Sequence, residues 1–294
     1  MKNSPVAIVG LGLMGEVYAK RLLDARIPVV GFDIDPARRA RLNEIGGRAV
    51  NSIAELAAPA RCIIIAVFNT DQVADVIENH LLPALGDGSN KIVLCMSTCD
   101  PDQVAALAAR VMPRGIRYLD VPVSGTSDQV RRGNGVALIG GDSAIAGEVT
   151  DVFDALFARR FHVGKIGDGA RAKLAVNLIL GLNRLALAEG LVFAERLGLD
   201  PAAFLDVARG SASYSQVMET KGPKMVSGDF SPEGRAKQTL KDVQLMLGQA
   251  AGVGQKLAML EVHAAVLEAC VRAGEADLDN SVIIEEVRRR GAKP

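Results

Sequence analysis

The feature that most narrows the possible folds is VAIVGLGLMG near the N-terminus, where an apolar run leads into Gly10-x-Gly12-x-x-Gly15. The β-branched run predicts a strand and the residues after Gly12 predict a helix. Gly10 permits the tight turn between them, Gly12 lets the backbone approach a pyrophosphate, and Gly15 lets the helix pack close to the strand. Leu11, Leu13 and Met14 complete the loop, whose amides face the anion. An acid closes the next apolar run, Asp33 in GFDID, 18 residues beyond Gly15. A carboxylate there hydrogen-bonds the adenosine ribose hydroxyls and repels a 2′-phosphate, which favours NAD over NADP. Arg38 and Arg39 follow within two turns and could meet such a phosphate, so NADP stays open. A solvated helix face is the preferred reading of those two arginines.

The same alternation continues along the first half of the chain. Strands are predicted at 6–9, 29–32, 62–67, 91–96, 118–123, 136–140 and 160–163, several of them apolar throughout, as strands covered on both faces should be. Helical patterns lie between most of them. Asp35-Pro36, Asp100-Pro101 and Asp200-Pro201 each supply an N-cap followed by proline at the first helical position. After about residue 165 the strands stop and six helical segments follow, at 168–197, 201–209, 214–227, 232–252, 255–273 and 280–290. The fold class is therefore an α/β Rossmann-type domain with a doubly wound, mainly parallel sheet, followed by an all-α domain that begins on a long interdomain helix. The expected boundaries are 1–165 for dinucleotide binding and 166–294 for substrate binding and oligomerisation.

Composition removes several classes. Lys plus Arg equals Asp plus Glu at 34 each, so no global field draws the chain to nucleic acid or an acidic membrane. Arg288-Arg289-Arg290 complements the end of a helix. Cys62, Cys95, Cys99 and Cys270 form no CxxC pair, and His80, His162 and His263 have no metal-ligand spacing, so no metal site is expected. MKNSPVAIVG enters a strand directly, with no signal segment, and no uncharged apolar run reaches the length of a membrane span. The expectation is a reduced, cytoplasmic protein.

Four further stretches carry chemistry. GLGLMG, DVPVSGT (120–126), GDGARAKLAVN (167–177) and LKDV (240–243) occur in the order found in the 3-hydroxyisobutyrate dehydrogenase-related family of β-hydroxyacid dehydrogenases, which the chain resembles over essentially its whole length. DLDNSVIIEEV (277–287) is similar to that family's C-terminal signature. The resemblance implies that Lys173 is the catalytic acid/base and that Ser124 and Gly125 contact substrate. It further implies that Lys241 reaches the substrate carboxylate or the nicotinamide end, and that Thr98 contacts the nicotinamide ribose. It also implies a homo-oligomer, dimer or tetramer. The sequence departs from the family where Thr126 replaces a usual glycine, at the bulkier Asp128 and Gln129, and at Gly234, where an aromatic is frequent and Tyr214 lies near in sequence.

The residues support this independently. Oxidising a hydroxyl needs a base for its proton, and a lysine on an apolar helix has its charged form disfavoured by desolvation. Asn177, one turn on, can hold the substrate or the lysine without adding charge. Ser124-Gly125-Thr126 offers a hydroxyl and successive backbone N–H groups to a carboxylate. Asn69 and Thr98 follow strands, where doubly wound sheets bind ligands, although Asn69 reads equally well as a turn residue. Taken alone, Lys241-Asp242 reads as a surface pair. The function expected is hydride transfer between NAD(P) and a small 3-hydroxy acid or its semialdehyde. The rivals are an imine reductase, which generally lacks the lysine, an oxidative decarboxylase of the phosphogluconate type, which is longer, and a non-catalytic dinucleotide-binding module, which would need only the glycine loop and Asp33.

Overall fold

In a computed structural model that describes residues 4–291, the chain divides into two compact units. One ends at Lys173 and the other begins at Leu174, within the long helix.

The first unit is built on a nine-stranded sheet: β1 (Val6–Val9), β2 (Val29–Phe32), β3 (Arg48–Ala49), β4 (Cys62–Ile65), β5 (Lys91–Cys95), β6 (Ile116–Asp120), β7 (Val123–Ser124), β8 (Val136–Gly140) and β9 (Arg159–Gly164). Their order is β3-β2-β1-β4-β5-β6-β8-β7, with β9 paired to β8. The run from β3 to β6 is parallel, whereas β8 is antiparallel to both β6 and β7. Strand order reverses at β1, whose neighbours are β2 and β4, which sets the ligand crevice of such sheets at the carboxyl end of β1. β3 was not legible in the sequence, because two residues are too few to show a period.

Alternate residues of β1 serve opposite faces. Val6 and Ile8 pack with Tyr18 and Leu22 of the helix Leu13–Asp24. Ala7 and Val9 pack with Leu56, Val104 and Leu107. Both faces are thus covered, which is why the strands read as apolar runs rather than as alternation. Asp35, Asp100 and Asp200 cap their helices through side-chain oxygens, as their Asp-Pro pairs predict.

The second unit is helical around a core that includes Leu185, Leu191, Met225, Val243, Leu267 and Ile284. The helix expected over 214–227 is broken into Val217–Thr220 and Gly222–Ser227. Arg288, Arg289 and Arg290 are all engaged by glutamates. The long helix Asp168–Arg196 corrects one expectation: by length and composition it could cross a membrane. Its Leu174, Leu185, Leu191 and Val192 instead pack into the helical core.

Candidate active site

The glycine loop takes the shape its spacing demands. Gly10 has φ +92°, and a Cβ there would lie 2.5 Å from the Ala66 carbonyl oxygen. A Cβ on Gly15 would collide with the Gly10 carbonyl. Gly12 precedes the helix Leu13–Asp24, whose start has no side-chain cap. An uncapped helix start behind a side-chain-free turn fits a pyrophosphate, and among the described residues this is where a dinucleotide would be held.

Asp33 is buried at the end of β2. Its Oδ2 accepts the Leu11 N–H at 2.7 Å and its Oδ1 accepts the Asp35 N–H at 2.9 Å. The acid therefore braces the glycine loop besides facing the crevice. Arg38 Nη1 lies 3.3 Å from Asp33 Oδ2, and Arg39 donates to the Asp33 carbonyl at 2.6 Å. Arg38 is exposed, as a solvated face implies, and both arginines also reach acceptors at the end of β2. Arg38 is also the group nearest the open side of Gly12, 3.6 Å from where a Cβ would stand.

Beyond β4, Asn69 is a capping residue whose Oδ1 accepts the Gln72 N–H at 2.9 Å. The next loop is tied to it: Ser97 Oγ donates to the Val67 carbonyl at 2.8 Å, and the Asp100 N–H donates to Thr70 Oγ1 at 2.9 Å. Thr98, half-buried, lies in that braced loop.

Ser124 ends β7 opposite Val136, and Gly125 follows with φ +137°, a conformation that favours glycine. Thr126 also opens a helix. Its hydroxyl accepts the Gln129 N–H at 3.2 Å, and its own N–H donates to Gln129 Oε1 at 2.8 Å. This capping box opens the helix Ser127–Arg131 and uses the backbone N–H that Thr126 was expected to offer a carboxylate, while its hydroxyl acts as an acceptor. Gln129, noted as a bulky departure, is the other half of the box.

Two buried carboxylates were passed over in the sequence. Asp120 ends β6 and is 1% exposed. Its Oδ1 accepts the Gly167 N–H at 3.1 Å and its Oδ2 accepts the Ala170 N–H at 2.9 Å, so it pins the first turn of the long helix to the sheet. Burial raises its pKa, and the amides of Ala170 and Gly167 hold it down in part. A Cβ on Gly169 would come within 2.7 Å of its Oδ2, and one on Gly140 would collide with its Oδ1. One turn after Ala170 comes Lys173, itself buried.

In the second unit Asn177 Nδ2 donates to Asp242 Oδ2 at 3.0 Å, and Lys241 Nζ lies 3.1 Å from Asp242 Oδ1. Asp242 is 8% exposed, so Lys241-Asp242 is no surface pair. The four-residue spacing of Asn177 from Lys173 puts both on one stripe of the long helix.

The chain is similar to known proteins over both units. Residues 5–164 match the NAD binding domain of 6-phosphogluconate dehydrogenase, and residues 167–287 match the NAD-binding domain of NADP-dependent 3-hydroxyisobutyrate dehydrogenase. Glyoxylate/succinic semialdehyde reductase 1 of Arabidopsis thaliana is 31% identical over 289 residues, covering 96% of this chain and 98% of its own. The 2-hydroxy-3-oxopropionate reductase of Escherichia coli is 29% identical, covering 95% and 96%. The crystal structure of 3-hydroxyisobutyrate dehydrogenase from Salmonella typhimurium superimposes with a TM-score of 0.87 at 27% identity, over 95% of this chain and 98% of that one.

Proposed function

The chain belongs to the 3-hydroxyisobutyrate dehydrogenase-related family of NAD(P)-dependent β-hydroxyacid dehydrogenases, and we propose from its side chains how it interconverts a small 3-hydroxy acid and the corresponding semialdehyde. Bound NAD(P) supplies the hydride acceptor in one direction and the donor in the other. Gly10, Gly12, Gly15 and the amides of Leu11, Leu13 and Met14 hold the pyrophosphate, Asp33 the adenosine ribose, and Thr98 the nicotinamide ribose. Asn69 shapes that rim as a cap.

Lys173 takes the hydroxyl proton as the carbonyl forms and returns it on reduction. The observation that carries this role is a buried lysine one turn beyond a helix start fixed by two backbone N–H hydrogen bonds to the Asp120 carboxyl. Asn177, held by Asp242, orients the reacting group. Ser124 and Gly125 bind the carboxylate, assisted by Lys241, while Thr126 supports their loop rather than touching substrate. NAD is the preferred cofactor, since Asp33 occupies the 2′-phosphate position, with NADP accepted because Arg38 stands beside it.

The reading extends to a cytoplasmic homo-oligomer, dimer or tetramer. Ile179 and Phe193 of the long helix, with Met259 and Val262 of Ala258–Arg272, expose large apolar side chains that a second copy would cover. The deciding experiment is a steady-state rate panel of short 3-hydroxy acids and semialdehydes with NAD and with NADP. Turnover of one of them establishes the reading. Cofactor binding with no turnover sinks it and favours an imine-reducing or non-catalytic protein.

A further inference from the structure

Within the helical unit lies a group of buried polar side chains that this chemistry does not use. Arg184 stands seven residues beyond Asn177 on the long helix, about two turns or roughly 10 Å along its axis, and on the same stripe. It is 8% exposed, and its Nε and Nη1 have no hydrogen-bond partner. His263 of Ala258–Arg272 is 0% exposed, and both its ring nitrogens are likewise unpartnered. A Cβ on Gly181 would lie 2.7 Å from His263 Cε1, so only a glycine in this helix leaves room for the ring.

Two carboxylates act on Arg184, Asp279 and Asp242, and neither is hydrogen-bonded to its Nε or Nη1. Asp279 is held by Lys221 Nζ at 2.9 and 3.0 Å and by the N–H groups of Glu233, Gly234 and Ser281. Asp242 is held by Asn177 and faces Lys241. The guanidinium thus has anions close enough to feel, while its Nε and Nη1 bind neither. Leaving a buried donor without a partner is costly, and more so for a charged one. Helical side chains lean toward the N-terminus, which directs Arg184 back toward Asn177.

We infer that Arg184, with His263, forms a subsite for a second carboxylate on the substrate, making the protein selective for hydroxy acids or semialdehydes that carry an acidic group at both ends. The planar fork of arginine matches a carboxylate with two parallel hydrogen bonds, and in a buried setting such a pair discriminates strongly against a ligand lacking the group. The inference rests on the hydroxy-acid reading of the same helix face, yet it is testable without turnover.

The test is calorimetric titration of the NADH-loaded protein with glutarate and with valerate, which have the same chain length but two charges and one. Wild type should bind glutarate at least tenfold more tightly. In Arg184→Met the ratio should fall to near one, and Arg184→Lys, which keeps the charge without the fork, should fall between. A wild-type ratio near one overturns the inference whether or not the variants fold. So does a glutarate preference that persists in Arg184→Met. A preference that depends on Arg184 in a protein that turns over no hydroxy acid would keep the subsite and remove the dehydrogenase.

Discussion

Asp33 and Asp120 are two buried aspartates at or just beyond the carboxyl ends of parallel strands, and each holds the turn that opens a helix. Asp33 does so beside cations, with Arg38 on its carboxylate and Arg39 on its carbonyl. Asp120 is held by amides alone among its hydrogen bonds, set between Gly140 and Gly169. The first arrangement leaves an oxygen that a ribose can share. The second is closed, and its product is position: the first turn of the long helix, and with it Lys173. One side chain in two settings yields a proposed ligand contact in one and a scaffold in the other, and the difference lies in what else can reach the carboxylate.

The comparison would be sharpened most by Lys173→Ala. Loss of about a hundredfold to ten-thousandfold in kcat, with NADH affinity measured by fluorescence unchanged, would show that the Asp120 side of the sheet serves chemistry and the Asp33 side binding. Loss of NADH affinity instead would merge the two regions. Next in size is Asp33→Ala, which removes charge-assisted hydrogen bonds of about 1.5–3 kcal/mol. KM for NAD should rise roughly tenfold to a hundredfold, and KM for NADP by less. An equal rise for both would make Asp33 a brace only, as Asp120 is.

Asp120→Asn keeps the shape but turns one acceptor into a donor facing an amide. Denaturant unfolding should show a loss of about 1–3 kcal/mol, and kcat should fall about tenfold while NADH affinity holds. The pH dependence has a definite sign. The folded pKa of Asp120 is raised by burial, so the folded state binds this proton more readily than the unfolded chain. Stability from this group is lost as pH rises through the folded value and regained on acidification. The wild-type advantage over Asp120→Asn should therefore widen as pH falls toward the ordinary carboxylate range, and a constant gap would mean the carboxyl does not titrate with folding. The smallest effect belongs to Thr126→Val, which removes the hydroxyl of a capping box. It should cost about 1 kcal/mol in unfolding free energy and leave substrate KM unchanged, whereas Ser124→Ala should raise KM.

What was legible in the sequence follows the reach of each contact. The glycine loop and Asp33 lie 22 residues apart and stand on adjoining strands, so their spacing survives as a motif. Asp120 meets Gly167 and Ala170 across 47 and 50 residues, and no local pattern marks such a bond. The strands and the change to helices near 165 were readable because apolar periodicity is local. Thr126-x-x-Gln129 could have been recognised as a capping box, but the preceding Ser-Gly drew the reading toward a ligand. Asp242 looked exposed because a Lys-Asp pair usually is. Only packing reveals that it carries Asn177.

The enclosure of Asp120 between two glycines has an evolutionary consequence. Residues 120, 140 and 169 occupy one volume, so neither glycine can gain a side chain while the acid stays: a Cβ at 140 or 169 would crowd the carboxylate. Across related sequences these three positions should be inherited as a block. A lineage that gives up the acid still cannot fill the glycines, because a Cβ at 140 would lie 2.7 Å from the Lys165 carbonyl oxygen and one at 169 would lie 2.8 Å from the Asp120 and Leu138 carbonyl oxygens, and its long helix must then find another anchor.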